Sequence, residues 1–269
     1  MSRENAPPGQ IAATRIALNE IAEILEAYPK AVIVGGTVPY LLVPQKREPH
    51  EGTVDIDIVL DLDQPGADPI LTLHEVLERR LFQQDETRPF RYTKGVPVEG
   101  EYYKVLIELL GGGTPPAGGM RHIRTEDVYV SIIKGIEVAL DNPVEVSLPD
   151  NFEHTISVAS IPAFFAMKAV ALESREELEK TIDAYDIVYC LRNYEGGVQA
   201  IANEYRKVHA NPLVAAGLEL LGALFNSTEA VGPVSLAKGA QDADEAALLA
   251  REAYERVQEL LQALDSKLV

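Results

Sequence analysis

The 269 residues carry 24 Lys plus Arg against 42 Asp plus Glu, a formal charge of −18, and 46% of them are apolar. That is core enough for one large domain or two modest ones, while the negative charge argues against a broad nucleic-acid platform and leaves room only for a local basic patch. No apolar run nears the roughly 18 residues of a membrane span, no signal-peptide core opens the chain, and the single cysteine, Cys190, excludes an internal disulfide, so a cytoplasmic protein with no membrane partner is expected.

Leu18, Ile21, Leu25 and Tyr28 recur at helical spacing, with Ile24 widening the stripe, so a helix is expected from about 14 to 28, stopped by Pro29. Ala31-Val32-Ile33-Val34 reads as a short buried strand, Gly35-Gly36-Thr37 as a turn, and a short helix follows to Leu42. The polar stretch from Val43 to Gly52 is a loop. From Val54 to Leu60 the alternation is clean: Val54, Ile56, Ile58 and Leu60 share one strand face, and Asp55, Asp57, Val59 and Asp61 the other. Asp68-Pro69 suggests a helix start, with a stripe of Ile70, Leu73, Leu77 and Leu81. Tyr103–Leu110 is a second strand, apolar on both faces except for Lys104 and Glu108, and a glycine-rich loop runs from Gly111 to Gly119. Further strands are expected near Asp127–Ser131, Ile136–Leu140 and Val144–Leu148. From Ser160 on, the pattern is helical: to about Ser174, then Glu177–Arg192, Val198–Val208, Leu213–Phe225 and Asp242–Leu264. The last carries a stripe of Leu249, Ala253, Val257, Leu260 and Leu264. The chain thus divides at about 155 into a half of mixed helices and strands and an all-helical half.

The aspartate pair carries chemistry. Side chains at i and i+2 on a strand lie on one face, roughly 6–7 Å apart. Two carboxylates so close repel unless a cation sits between them. Magnesium takes a few carboxylate oxygens together with substrate phosphates and water, and a pair of ions can clamp the attacking and leaving oxygens of a phosphoryl displacement. Glu108, in an apolar strand where an unpaired carboxylate would be costly, is the candidate third acid. The plainer alternatives are a solvated sheet edge for the aspartates and, for Glu108, an edge-strand position or an ion pair with a residue such as Lys104. Gly35-Gly36-Thr37 would let backbone N–H groups and a hydroxyl approach phosphate, or it is only a tight turn. Lys168 shares a helix face with Phe164 and Arg175. It either meets an anion or snorkels to solvent beside an Arg175–Asp183 surface pair. Asp183 and Asp186 read equally as a solvated or salt-bridged face. A Rossmann reading fails because the turn after Ala31–Val34 carries no G-x-G and Pro39 and Tyr40 stand where the third glycine is wanted. An aspartyl-phosphatase reading fails on Gly52-Thr53, which interrupts the apolar run it needs. Arg121, His122 and Arg124 form a small basic cluster, either a phosphate contact or a plain solvated turn.

Gly35-Gly36-Thr37, Asp55-Ile56-Asp57 and Glu108 together resemble the DNA polymerase β-like nucleotidyltransferase superfamily. The wording of Ile33-Val34-Gly35-Gly36-Thr37, of Gly52-Thr53-Val54-Asp55-Ile56-Asp57, of Met167-Lys168-Ala169-Val170-Ala171-Leu172 with Arg175, and of Asp183-Ala184-Tyr185-Asp186-Ile187 is similar to the AbiEii/AbiGii-type toxin branch. The resemblance spans about 31 to 192. It departs from that branch in a longer interval between Thr37 and Asp55 and in a stretched segment between Arg175 and Asp183. It implies an α+β fold: a mixed-sheet nucleotidyltransferase core flanked by helices at 1–155, then a C-terminal helical bundle at 156–269 that completes the nucleotide site. It implies two Mg2+ ions, with Mn2+ as a substitute, on Asp55, Asp57 and Glu108. Gly35, Gly36, Thr37, Lys168, Arg175 and Asp186 would bind a nucleoside triphosphate, and Asp183 would serve activity. The expected acceptor is a tRNA 3′ end or another RNA, a protein or a small molecule, with a cognate antitoxin as partner. Phosphoryl transfer on the same fold and a catalytically silent binding module are the alternatives.

Overall fold

The computed structural model describes residues 7–26, 31–43, 50, 52–62, 72–123, 126–148 and 151–265, without the side chains of 151–153. These residues form two compact units. One holds the described residues up to Leu41 and those from Gly52 to Ala159; the other holds Leu42, Val43, His50 and the residues from Ser160 on. The fold is α+β, a mixed sheet with flanking helices followed in sequence by helices alone.

The first unit opens with α1 (Pro8–Leu25), then β1 (Ala31–Val34), α2 (Thr37–Leu42), β2 (Asp55–Leu60), α3 (Leu73–Arg79), β3 (Gln83–Gln84), β4 (Arg91–Val98) and β5 (Glu101–Gly112). It continues with β6 (Met120–Ile123), β7 (Val128–Ile133), a 3-10 turn (Ile136–Leu140), β8 (Val144–Leu148) and β9 (Asn151–Val158). The strands described make one sheet in the order β3-β4-β5-β2-β1-β9-β8; β7 extends the edge of β5 beyond β4, and β6 pairs with β7. Pairing is parallel for β2/β5, β1/β9 and β5/β7 and antiparallel elsewhere. The central strands are the most apolar, as burial from both faces requires: all four residues of β1 are buried. Helix α1 lays Ala13, Ala17, Leu18, Ile21 and Leu25 against β4, β5, β2 and β9.

The structure corrects several expectations. Helix α1 begins at Pro8 rather than 14, because Pro8 and Gly9 occupy a first turn that tolerates both; Tyr28 and Pro29 lie outside the described residues. Asp68, Pro69 and Ile70 also lie outside them. The described helix there starts at Leu73, with Thr72 and Glu75 closing a capping box, and ends before Leu81. Gly111 and Gly112 belong to β5, not to the loop. Ile136–Leu140 is a 3-10 turn and not a strand: Gly135, at φ 88°, turns the chain out of the extended conformation. The division falls after Ala159, because β9 continues to Val158 and pairs with β1.

The second unit contains α4 (Ile161–Ser174), α5 (Glu177–Asn193), α6 (Gly197–Lys207), α7 (Pro212–Leu224), α8 (Val231–Ala237) and α9 (Ala243–Asp265). Helix α4 packs on α5 and α7, and α9 packs on α6 and α8. Phe164, Phe165, Tyr189 and Phe225 are fully buried in it.

Candidate functional site

Strands β1 and β2 are antiparallel neighbours with Val34 opposite Asp57. The chain leaves β1 through Gly35, at φ 68°, and an added Cβ there would stand 2.0 Å from Asp57 Oδ2. Only glycine lets this turn lie against the carboxylate. Gly36 is buried. Thr37 is 2% exposed, and its hydroxyl has no hydrogen-bond partner among the described residues. A buried hydroxyl left without a partner carries a desolvation cost, which a ligand oxygen would remove.

Strands β2 and β5 are parallel, with Asp55 beside Leu106 and Asp57 beside Glu108. Strand β4 continues the row on the far side of β5, with Arg91 beside Glu108. Because paired residues share a face, Asp57, Glu108 and Arg91 form one line across three strands, with Asp55 two residues along. Asp55 Oδ1 accepts a 2.6 Å hydrogen bond from the Thr53 hydroxyl. Arg91 Nη2 lies 2.5 Å from Glu108 Oε1. Burial pushes the Glu108 carboxyl up, Arg91 opposes that, and the charge of Asp55 adds to it. Glu108 therefore sits inside the sheet rather than at an edge, and its cation is Arg91, not Lys104, which faces Gly95.

Among the described residues no three His, Cys, Asp or Glu side chains converge to hold a metal ion by themselves. Asp55 and Asp57 nonetheless supply the hard oxygen donors magnesium takes, with substrate phosphate and water expected to complete its shell. The residues fit an ion that comes with its substrate better than one held alone.

In the helical unit, Lys168 is buried. Its Nζ lies 2.6 Å from Asp183 Oδ1 and 2.8 Å from Asp186 Oδ2, and 5.6 Å from the Phe164 ring centroid. Arg175 Nη1 donates to both oxygens of Asp183, at 3.1 and 3.2 Å. His50 Nε2 is 2.9 Å from Asp186 Oδ1, with its ring edge-on to Tyr189 and tilted against Tyr185. Asp183 and Asp186 are 0% exposed, so they are neither solvated nor a surface pair, and Lys168 does not snorkel. Two carboxylates here meet two cations, and His50 adds a further partner. The Cys190 thiol is buried and is pushed up by that burial and by Asp186. Of the basic cluster, His122 stacks on Tyr129 and pairs with Asp127 at the surface, and Arg124 lies outside the described residues. Sequence reasoning missed Arg91 and His50. Arg91 follows Pro89-Phe90 in a stretch without clean alternation, and His50 lies in a polar loop, so neither had a local signal.

No protein-family model matches the chain, and no curated protein sequence matches it significantly. Among solved structures, the crystal structure of JHP933 from Helicobacter pylori is similar at 14% identity and a TM-score of 0.43, over 98% of this chain and 100% of that one. A likeness so slight has no bearing on function.

Proposed function

We propose that the first unit is the core of a magnesium-dependent nucleotidyltransferase that moves a nucleoside monophosphate from a nucleoside triphosphate to an acceptor hydroxyl. The observation that carries this reading is the alignment of Asp57 with Glu108 across β2 and β5, with Asp55 on the same face. The glycine turn pressed on Asp57 supports it, as does the Thr37 hydroxyl beside that turn, which has no hydrogen-bond partner among the described residues.

Asp55 and Asp57, with Glu108 as the third acid, would hold magnesium, which when bound neutralises phosphate charge and polarises the phosphoryl centre. The backbone of Gly35 and Gly36 and the Thr37 hydroxyl would hold the β- and γ-phosphates. Glu108 orients the acceptor hydroxyl and takes its proton. The hydroxyl oxygen forms the new bond to the α-phosphorus; the bond from that phosphorus to the bridging oxygen breaks, and pyrophosphate leaves with the electron pair. Most of the rate enhancement would come from positioning and charge stabilisation. For Lys168, Arg175, Asp183 and Asp186 the proposal keeps the nucleotide role implied by the resemblance, with one condition: a triphosphate must take Lys168 from two buried carboxylates. The acceptor proposed is an RNA 3′ end, a protein or a small molecule, and an antitoxin partner belongs to the same resemblance.

The test supplies each nucleoside triphosphate, labelled at the α- or γ-phosphorus, with Mg2+ and pools of RNA, protein or small molecules. The reading expects α-label on an acceptor and its loss in Asp55→Ala and Asp57→Ala. Label from the γ-position alone would replace nucleotidyl by phosphoryl transfer. No label, or label undiminished in both variants, would sink the mechanism.

A further inference from the structure

We propose that Arg91 is a resident counter-ion that holds Glu108 away from the metal position until a nucleotide phosphate draws its guanidinium off. The third carboxylate would then become free at the moment substrate arrives. The inference rests on the nucleotidyltransferase reading and adds to it a positioning residue and an order of events.

Four observations carry it. Arg91 and Asp57 flank Glu108 on opposite neighbouring strands, so the carboxylate lies between a cation on β4 and an acid on β2. The Arg91–Glu108 contact, at 2.5 Å, is a close charge-assisted one between half-buried groups. Asp55 and Glu108 each have a partner of their own, the Thr53 hydroxyl and the Arg91 guanidinium. Finally, Arg91 Nε is buried with no hydrogen-bond partner among the described residues, so the guanidinium keeps a donor it has not used.

The charge balance fixes the direction of exchange. A carboxylate half-buried on the face of the sheet it shares with Leu106 and with Asp57 is costly to leave without a cation. Arg91 supplies it in the structure, and a divalent ion would supply it on binding. Arg91 in turn needs a new anion, and its planar fork matches phosphate. Each group thus changes partner without passing through an unpaired buried state, which would be costly. Arg88, whose charge also reaches Glu108, reinforces the positive side of the exchange.

The experiment uses the full chain. Mn2+ uptake is followed by loss of the free-ion electron paramagnetic resonance signal. It is measured for the ion alone and with a nucleoside triphosphate analogue carrying a methylene bridge between the α- and β-phosphorus. Wild type, Arg91→Gln, Arg91→Lys and Asp57→Asn are compared, with thermal unfolding reporting that each folds. Arg91→Gln should bind Mn2+ alone about fivefold more tightly than wild type, the scale of a part-exposed ion pair. With Mn2+ present it should bind the analogue about tenfold more weakly, since a phosphate has lost a charge-assisted donor. Arg91→Lys, with the charge but not the fork, should fall between. These opposite shifts are what a purely structural arginine would not produce. If both Arg91 variants match wild type in both measurements, while wild type takes up Mn2+ with the analogue and Asp57→Asn does not, the proposal is overturned and the nucleotidyltransferase reading stands. If wild type takes up no Mn2+ even with the analogue, both fall. Should Arg91→Gln not fold, Arg91→Lys decides: affinities equal to wild type in both measurements overturn the proposal, and opposite shifts support it.

Discussion

Gly35 and Asp57 act as one packing unit, and that makes the glycine testable apart from the acid. A methyl group at Gly35 would enter the space of Asp57 Oδ2 on a backbone at φ 68°. Gly35→Ala should cost about 1–2 kcal/mol in folding from the left-handed backbone yet lower nucleotidyl transfer far more, because it displaces a proposed metal ligand. Thermal unfolding beside the label-transfer assay separates the two effects. A chain that keeps full transfer would detach the glycine turn from the site. Lys168 offers the opposite contrast. Lys168→Met leaves Asp183 and Asp186 buried with one cation fewer, and losing one partner of such a network costs about 3–5 kcal/mol. Urea unfolding should show that loss, and a nearly unchanged midpoint would mean that the ammonium is not needed for folding. At this scale the sequence was informative about residue types and faces. Strand alternation places Asp55 and Asp57 together and marks Glu108 as costly. It is silent on what Glu108 meets, because the register joining β2, β5 and β4 is a property of distant segments, and a shift of one residue would turn Glu108 to the other face.

Among elements, the legible ones are those whose period is long and regular. The helices α4, α5, α6, α7 and α9 begin and end within a residue or two of their apolar patterns. Strand β4 was not legible. Gly95 and Pro97 interrupt it, and both weaken a strand pattern. Its turn to β5 is Glu99-Gly100, both with positive φ, a tight hairpin turn in which glutamate stands where asparagine or aspartate would have signalled it. Helix α8 was hidden by Gly232 and Pro233. There the glycine is a packing requirement, since a Cβ would come within 2.3 Å of the Phe225 ring. The same logic gives a prediction for α7 against α4. A Cβ at Gly217 would stand 2.4 Å from that of Ala166, so Gly217→Val should force the helices apart and cost about 1–3 kcal/mol. Denaturant unfolding checks this, and an unchanged stability would mean that the pair repacks without strain.

Across the molecule, the division into a mixed-sheet unit and a helical unit follows from a change of period near residue 160. No helix among the described residues is long and apolar enough to cross a membrane. The proposed chemistry needs no broad basic surface at a charge of −18, because the cations that matter would be Arg91, Lys168, Arg175 and the metal. What composition and period could not place was the last strand of the first unit, since β9 is paired to β1 across most of that unit's length.

That closing pairing has a consequence for how the unit is made and how it can be cut. Ile33 aligns with Val158, and its carbonyl accepts from the N–H of Ala159, so β1 stays open on one side until the chain has been synthesised nearly to residue 160. Until then a four-residue strand of Ala, Val, Ile and Val presents an unpaired apolar edge, the kind that recruits other chains. A fragment ending at residue 150 should therefore aggregate, whereas one ending at 160 should not, as light scattering during expression and refolding would show. Equal behaviour of the two would mean that β1 needs no covering partner. The final residues of the sheet thus act as a seam: they touch none of the proposed chemistry, yet they shield the strand from which the glycine turn springs.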